Sequence, residues 1–267
     1  MNKEDIVKKP VGVLDHGYVE LIDYMGSDTM ITDAARVSYK NAKTKSQDGF
    51  LIDYLMRNEH TSPFEQVVFT FRLKMPIFVA RQWVRHRTAR MNEVSGRYSV
   101  LDADFYMPDA EDINYQSESN KQGRGKVMSE EDAAKVRSVI SKCYDVLRDG
   151  YEELLESGLS KEIARIVLPL SVYTEFYWQM DLHNLFHFLK LRLHPHAQLE
   201  IRKYAEVILG FVREICPMAT ESFVNHNLKS IRISQKEIGI VRDGMDFSAV
   251  KADERDLKIL KEKLGVS

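Results

Sequence analysis

Between residues 81 and 97 five arginines, Arg81, Arg85, Arg87, Arg90 and Arg97, stand against a single glutamate, Glu93. The segment carries a local charge of +4 in a chain whose formal net charge is −2. Gln82, His86, Asn92, Ser95 and Tyr98 add hydrogen-bonding groups to the same stretch. Guanidinium forks hold phosphate or carboxylate bidentately, and each charge-assisted bond contributes roughly 1.5–3 kcal/mol. These residue types read as a site that holds an anion in one orientation. On a helix running into a loop, Gln82 and Arg85 share a face at i, i+3. Gly96 lets the backbone approach a ligand closely. Ser95 and Arg97 suit a phosphate, and Glu93 suits a sugar hydroxyl or a base N–H. The alternative is a solvated cationic helix face. Ser95 is also a candidate nucleophile, but no histidine–carboxylate relay accompanies it and serine is weak without a base. A positioning role is therefore expected of it.

A second constellation follows at 183–196. His183 and His187 stand at the i, i+4 spacing of zinc ligands on a helix, and His194 and His196 come after them. The run His183-Asn184-Leu185-Phe186-His187 lacks the glutamate that H-E-x-x-H chemistry uses, so no metal is expected. A zinc hydrolase stays open as the second reading. A nucleic-acid-binding module on the arginine segment is the third, although such domains are usually basic overall. Cys143 and Cys216, the two cysteines of the chain, sit in no metal or disulfide pattern. They point to a reducing compartment, and the cytoplasm is expected. The charged stretch Met1 to Lys9 has no apolar core of a secretory signal, and no apolar run approaches the ~18 residues of a membrane span.

The elements that must position these groups are readable from periodicity. Residues 11–24 read as the first strands, broken by the turn Asp15-His16-Gly17. Short helices are expected over 29–37 and from Phe50 to Arg57, the second ended by Thr61-Ser62-Pro63. Phe69, Phe71 and Leu73 alternate with Thr70, Arg72 and Lys74, which predicts a half-buried strand over 67–74. A helix over 77–87 would deliver the arginine window, and a strand is expected over 98–106. Residues 108–128, rich in Ser, Asn, Gln and Gly, read as a mobile surface loop. Ser129 then caps a long helix whose apolar positions are Val136, Val139, Ile140, Cys143, Leu147, Tyr151 and Leu154, with Gly158 as its stop. A short helix at 160–167, an aromatic strand from Val172 to Trp178, a helix capped by Asp181 and running to Arg192, and a helix over 196–215 complete the series. The expected fold is α/β of the α+β type: one domain with a central, largely antiparallel sheet flanked by helices. A charged helical tail should follow, with the boundary near residue 230.

The stretch Arg85-His86-Arg87, seven residues, Ser95, containing Asn92-Glu93-Val94-Ser95-Gly96-Arg97-Tyr98, resembles the signature R-H-R-x7-S of flavin-dependent thymidylate synthases in its extended form N-E-x-S-x-R-Y. Eight specified positions match. Further blocks look like the family in family order: Ala34-Ala35-Arg36-Val37-Ser38, His60-Thr61-Ser62-Pro63-Phe64-Glu65, Pro76 to Gln82, Ala164-Arg165-Ile166-Val167-Leu168-Pro169, and Leu191-Arg192 with His196-Ala197-Gln198. Residues 11 to 225 are covered. The family often has Ser where this chain has Arg90, and Asn at the positions of Asp181 and His187.

The resemblance implies reductive methylation of dUMP to dTMP, with 5,10-methylenetetrahydrofolate as carbon donor and NADPH as reductant through FAD. It assigns nucleotide binding to Gln82, Arg85, Glu93, Val94, Ser95, Gly96, Arg97, Arg165 and Arg192, with Arg192 activating the base and Ser95 beside it. It assigns FAD to Ser62, Arg85, His86, Arg87, Thr88 and Glu93, and to Asp181, Leu182, His183 and His187 of a neighbouring chain. His60 would contact folate or the flavin ring. A homotetramer with shared sites is implied, with no nucleic-acid or membrane partner.

Overall fold

The computed structural model describes residues 6–37, 47–118 and 121–231, with isolated positions 234, 238 and 258. Its frame is a strand whose side chains alternate between two environments. In β3 (Val68–Pro76) Phe69, Phe71, Leu73 and Met75 are fully buried, while Thr70, Arg72 and Lys74 reach the other face. Burying each such side chain contributes roughly 1.5–3 kcal/mol, so this face fixes the register. On one side β7 (Tyr173–Asp181) runs antiparallel, setting Phe71 opposite Trp178 and Phe69 opposite Met180. On the other lies β2 (Gly17–Met25), which pairs with β1 (Val11–Val13). β4 (Arg90–Glu93) pairs with the free edge of β7, giving the order β1-β2-β3-β7-β4 with every pairing antiparallel.

Helices cover the apolar face. Ile201, Tyr204, Ala205, Ile208, Phe211 and Val212 of α7 (Leu199–Ile215) lie in the core. Trp83, at the end of α3 (Ile77–Trp83), packs its ring 4.4 Å from Phe188 and 5.2 Å from Trp178. Phe188 belongs to α6 (Leu182–Arg192). Further α-helices among the described residues are α1 (Asp28–Ala35), α2 (Asp48–Arg57), α4 (Glu130–Glu156), α5 (Lys161–Ala164) and α8 (Pro217–Phe223). Two expected caps are present: Ser129 Oγ accepts from Asp132 N at 3.2 Å, and Asp181 Oδ1 accepts from Asn184 N at 3.0 Å. Gly158, just past α4, holds φ +82, a conformation costly for any residue with a Cβ.

Three expectations are corrected. Helix α3 ends at Trp83, so Arg85-His86-Arg87 lie in the turn beyond it rather than on it. Residues 98–106 form no strand; Phe105 alone bridges Val172, through Tyr106 N on the Ser171 carbonyl and Tyr173 N on the Asp104 carbonyl, while Leu101 N is taken by Tyr151 Oη. The expected loop at 108–128 contains a hairpin, β5 (Asn114–Gln116) with β6 (Arg124–Val127). Its sequence lacks apolar alternation because polar bonds fix it: Asn114 Nδ2 donates to the Gly125 carbonyl, and Arg124 pairs with Glu200. The predicted stripe on α4 is covered only in part. Ala133 and Tyr151 are buried, whereas Val139 is 62% exposed and Cys143 is exposed.

Met1–Leu228 form one compact unit and Lys229–Ser267 a second. The expected charged tail falls in the second unit and, like Ser38, lies almost wholly outside the described residues. No described helix is long and apolar enough to cross a membrane.

Candidate active site

The end of α3 and the end of α6 meet at Arg192. Its Nε donates to His86 Nε2 at 3.0 Å, and Nη2 donates to the Gln82 carbonyl at 3.0 Å. An arginine cannot accept, so His86 Nε2 must be the acceptor and its proton must sit on Nδ1. Burial, then the charge of Arg192, lowers the His86 pKa from 6.5 to about 4, so the ring is neutral near pH 7. A neutral histidine orients the guanidinium without cancelling its charge. Burial lowers the Arg192 pKa below its ordinary value, yet a guanidinium stays protonated at working pH. Its remaining N–H groups have no partner among the described residues. The side chain of Gln82 donates in turn to Gln198 Oε1, at the start of α7.

A second group forms where β4 runs into a turn. Ser95 Oγ accepts from Arg97 N at 3.3 Å, and the Ser95 carbonyl accepts from Tyr98 N. Gly96 is buried there. A Cβ on it would lie 2.9 Å from Leu101 Cδ1 and 3.1 Å from Arg165 Cδ, so both side chains would have to shift to admit one. Arg165 Nε donates to the Glu162 carbonyl, and Arg97 makes an exposed ion pair with Glu162 at 3.2 Å. Glu93 is held by Thr174 Oγ1 at 2.6 Å, and Val94 N bonds the Glu175 carbonyl. Among the described residues no hydrogen bond or ion pair joins this group to Arg192. Arg81, Arg85, Arg87 and Arg90 are exposed and form no ion pair among the described residues.

The third group lines a cavity of about 330 Å³ between α2, α6 and α8. His60, His183, His187 and Lys190 supply its polar edge, with Leu55, Phe64 and Phe186 among its apolar walls. His187 also places its ring 6.2 Å from that of His86, which ties this cavity to the first group. Among the described residues no His, Cys, Asp or Glu side chains are grouped as a metal site.

Asp181 and Leu182, also assigned to the site, serve the fold. Asp181 binds the Asn184 amide nitrogen and its side chain, so its carboxylate is spent on capping α6. Leu182 is buried in the core. Ser62 and Thr88 are exposed and make no side-chain bond to the three groups. Three supports of the site were not foreseen: Gln198 on Gln82, Thr174 on Glu93, and Lys190 at the cavity. Gln198 did fall in a block resembling the family, which was the one available signal.

The family described as "Thymidylate synthase complementing protein" matches residues 20–218. A protein of Treponema denticola named flavin-dependent thymidylate synthase is 51% identical over 258 residues, covering 96% of this chain and 97% of that one. One of the same name from Thermus thermophilus is 53% identical over 234 residues, covering 87% and 84%. Among solved structures, a UMP/dUMP methylase, PolB, from Streptomyces cacaoi bound with 5-Br UMP superposes with a TM-score of 0.74 at 36% identity, covering 82% of this chain and 98% of that one. Its structure bound with 5-Br dUMP gives 0.74 at 34% identity, covering 81% and 98%.

Proposed function

The chain belongs to the flavin-dependent thymidylate synthase family, and on that basis we propose that it methylates dUMP reductively to dTMP, using 5,10-methylenetetrahydrofolate, NADPH and FAD. The observation that carries the site assignment is the half-buried Arg192 guanidinium, held by a neutral histidine and a backbone carbonyl with other N–H groups left over. Uracil C5 is a poor nucleophile until the ring gains electron density. A fixed cation at a base oxygen or N3 stabilises the ionised base, and such preorganised charge costs no reorganisation at the moment of reaction. Arg192 is assigned that task, with Gln82 and Arg85 beside the base or sugar.

Ser95, Gly96, Arg97 and Arg165 suit the nucleotide phosphate. The Ser95 hydroxyl already accepts from the Arg97 amide, which supports its positioning role. Glu93, oriented by Thr174, suits a sugar hydroxyl or base N–H, with Val94 holding its turn to β7. Structures of PolB with brominated UMP and dUMP support a uracil nucleotide as ligand.

The donor set also fits a flavin dinucleotide. Arg85 and Arg87 are exposed without carboxylate partners among the described residues, which suits a pyrophosphate, and His86, Thr88, Ser62 and Glu93 are assigned to the same cofactor by the family resemblance. Both carboxylate oxygens of Asp181 accept from Asn184, which supports a capping role for it. Bound flavin supplies the hydride, while the protein supplies orientation. Asp181, Leu182, His183 and His187 are assigned to a second copy's flavin, and His60, on the same cavity, to folate or the flavin ring. The exposed apolar positions Val139 and Val146 of α4 support a homotetramer with shared sites. The catalytic unit is assigned to residues 1–230, the tail to 231–267, and the compartment to the cytoplasm.

The test is product formation. Purified protein reconstituted with FAD should form dTMP only when dUMP, methylenetetrahydrofolate and NADPH are all present. Absence of dTMP from the complete mixture overturns the reading.

A further inference from the structure

The nucleotide-activating pair is gripped from a direction that the family resemblance does not assign. Gln198 occupies the N-cap position of α7, yet its side chain makes no capping bond. Its Oε1 instead accepts from Gln82 Nε2, while the Gln82 carbonyl accepts from Arg192. Gln82 is thus held at both its side chain and its backbone. Two residues further on, Glu200 is 2% exposed. Its Oε1 accepts from Arg124 of β6 and, at 3.1 Å, from Tyr106 Oη. Arg124 also donates to the Asp112 carbonyl at 3.0 Å, and Lys203 of α7 pairs with the Asp112 carboxylate at 2.6 Å.

A buried carboxylate costs several kcal/mol in desolvation unless its partners offset it. Here Glu200 Oε2 has no hydrogen-bond partner among the described residues. A methionine or leucine would fill the first turn of α7 without that cost. What the ionic pair adds is a fixed register between the β5–β6 hairpin and α7. The same hairpin and the α7 start wall a polar cleft of about 750 Å³, onto which Gln82 and Gln198 both open.

We propose that Gln198 is a positioning residue for the Gln82–Arg192 pair, and that the Arg124–Glu200 ion pair sets it by seating the hairpin on α7. This rests on the reading of Gln82 and Arg192 as nucleotide ligands. The property that matters is the acceptor at Gln198 Oε1, not the volume of the side chain.

The test compares Gln198→Met, which keeps the shape and removes the acceptor, with Gln198→Glu, which keeps an acceptor. In the FAD-loaded full chain, Gln198→Met should lower kcat about tenfold, the size of one lost hydrogen bond, with KM for dUMP within about threefold. Gln198→Glu should recover most of that loss. Arg124→Ala should lower kcat similarly, Arg124→Lys should recover part, and the Gln198→Met/Arg124→Ala double variant should be no slower than the worse single one. Hydrogen–deuterium exchange gives a readout independent of turnover: both damaging variants should speed exchange at residues 82–86. Wild-type kcat in Gln198→Met, multiplicative losses in the double variant, or unchanged exchange at 82–86 overturns the proposal. If wild-type protein itself forms no dTMP, the functional reading fails, and the exchange result alone decides whether Gln198 and Arg124 hold Gln82.

Discussion

Replacing Arg192 by alanine separates catalysis from folding. The side chain makes two bonds at 3.0 Å, one to His86 and one to the Gln82 carbonyl. Each is worth about 1 kcal/mol net, and both acceptors border a half-exposed group that water can reach, so the folding loss is about 1–2 kcal/mol. For a chain of this size that lowers Tm by roughly 2–8 °C. Catalysis should suffer far more. Removing one preorganised donor to a developing anion costs on the order of 10²–10³ in kcat, and Arg192 offers a full charge besides. The neutral His86 cannot replace it. Thermal melting and steady-state turnover on the same sample make the assay. A well-folded Arg192→Ala protein with kcat within threefold of wild type refutes the activating role, and a protein that fails to fold refutes the assigned division of labour.

Three further outcomes follow from particular contacts. The folded His86 ring titrates near 4 against 6.5 when unfolded, so below pH 6.5 the unfolded chain binds a proton that the folded one refuses. Stability is therefore lost as pH falls from about 6.5 towards 4; the full shift is worth about 3 kcal/mol, reduced by solvent screening to about 1–2 kcal/mol. Urea midpoints at pH 7 and pH 5 should fall further in wild type than in His86→Gln, and equal falls count against the neutral ring. Gly96→Ala should raise KM for dUMP about tenfold, the scale of one weakened charge-assisted bond, because its Cβ would crowd Arg165; an unchanged KM contradicts the phosphate assignment. Asp181→Ala should cost about 1 kcal/mol through loss of the α6 cap, measurable by urea denaturation, while Asp181→Asn should keep most of it.

Local periodicity carried much of this architecture. Phe69, Phe71 and Leu73 alternate because one face of β3 is core, and Ser129, Asp181 and Gly158 mark helix ends whose physics is local. The hairpin at 114–127 was hidden because its stability comes from Arg124 and Asn114 rather than an apolar face. On α4 the helical stripe was correctly periodic, but periodicity does not say what covers Val139 and Cys143. At the site, residue types announced an anion pocket and the family resemblance supplied roles. The joints between distant segments were not readable: Arg192 on His86 spans 106 residues, and Thr174 on Glu93 spans 81. Such contacts follow from how β7 brings β4 and α6 together, which no spacing within either segment encodes.

The central claim is that this chain activates C5 of a uracil nucleotide, and release of tritium from [5-³H]dUMP reports that event itself. FAD-reconstituted protein given methylenetetrahydrofolate and NADPH should release tritium into water in step with dTMP formation, and Arg192→Ala should release it at least a hundredfold more slowly. No release from the wild-type protein under these reducing conditions, or equal release from both, would contradict the account.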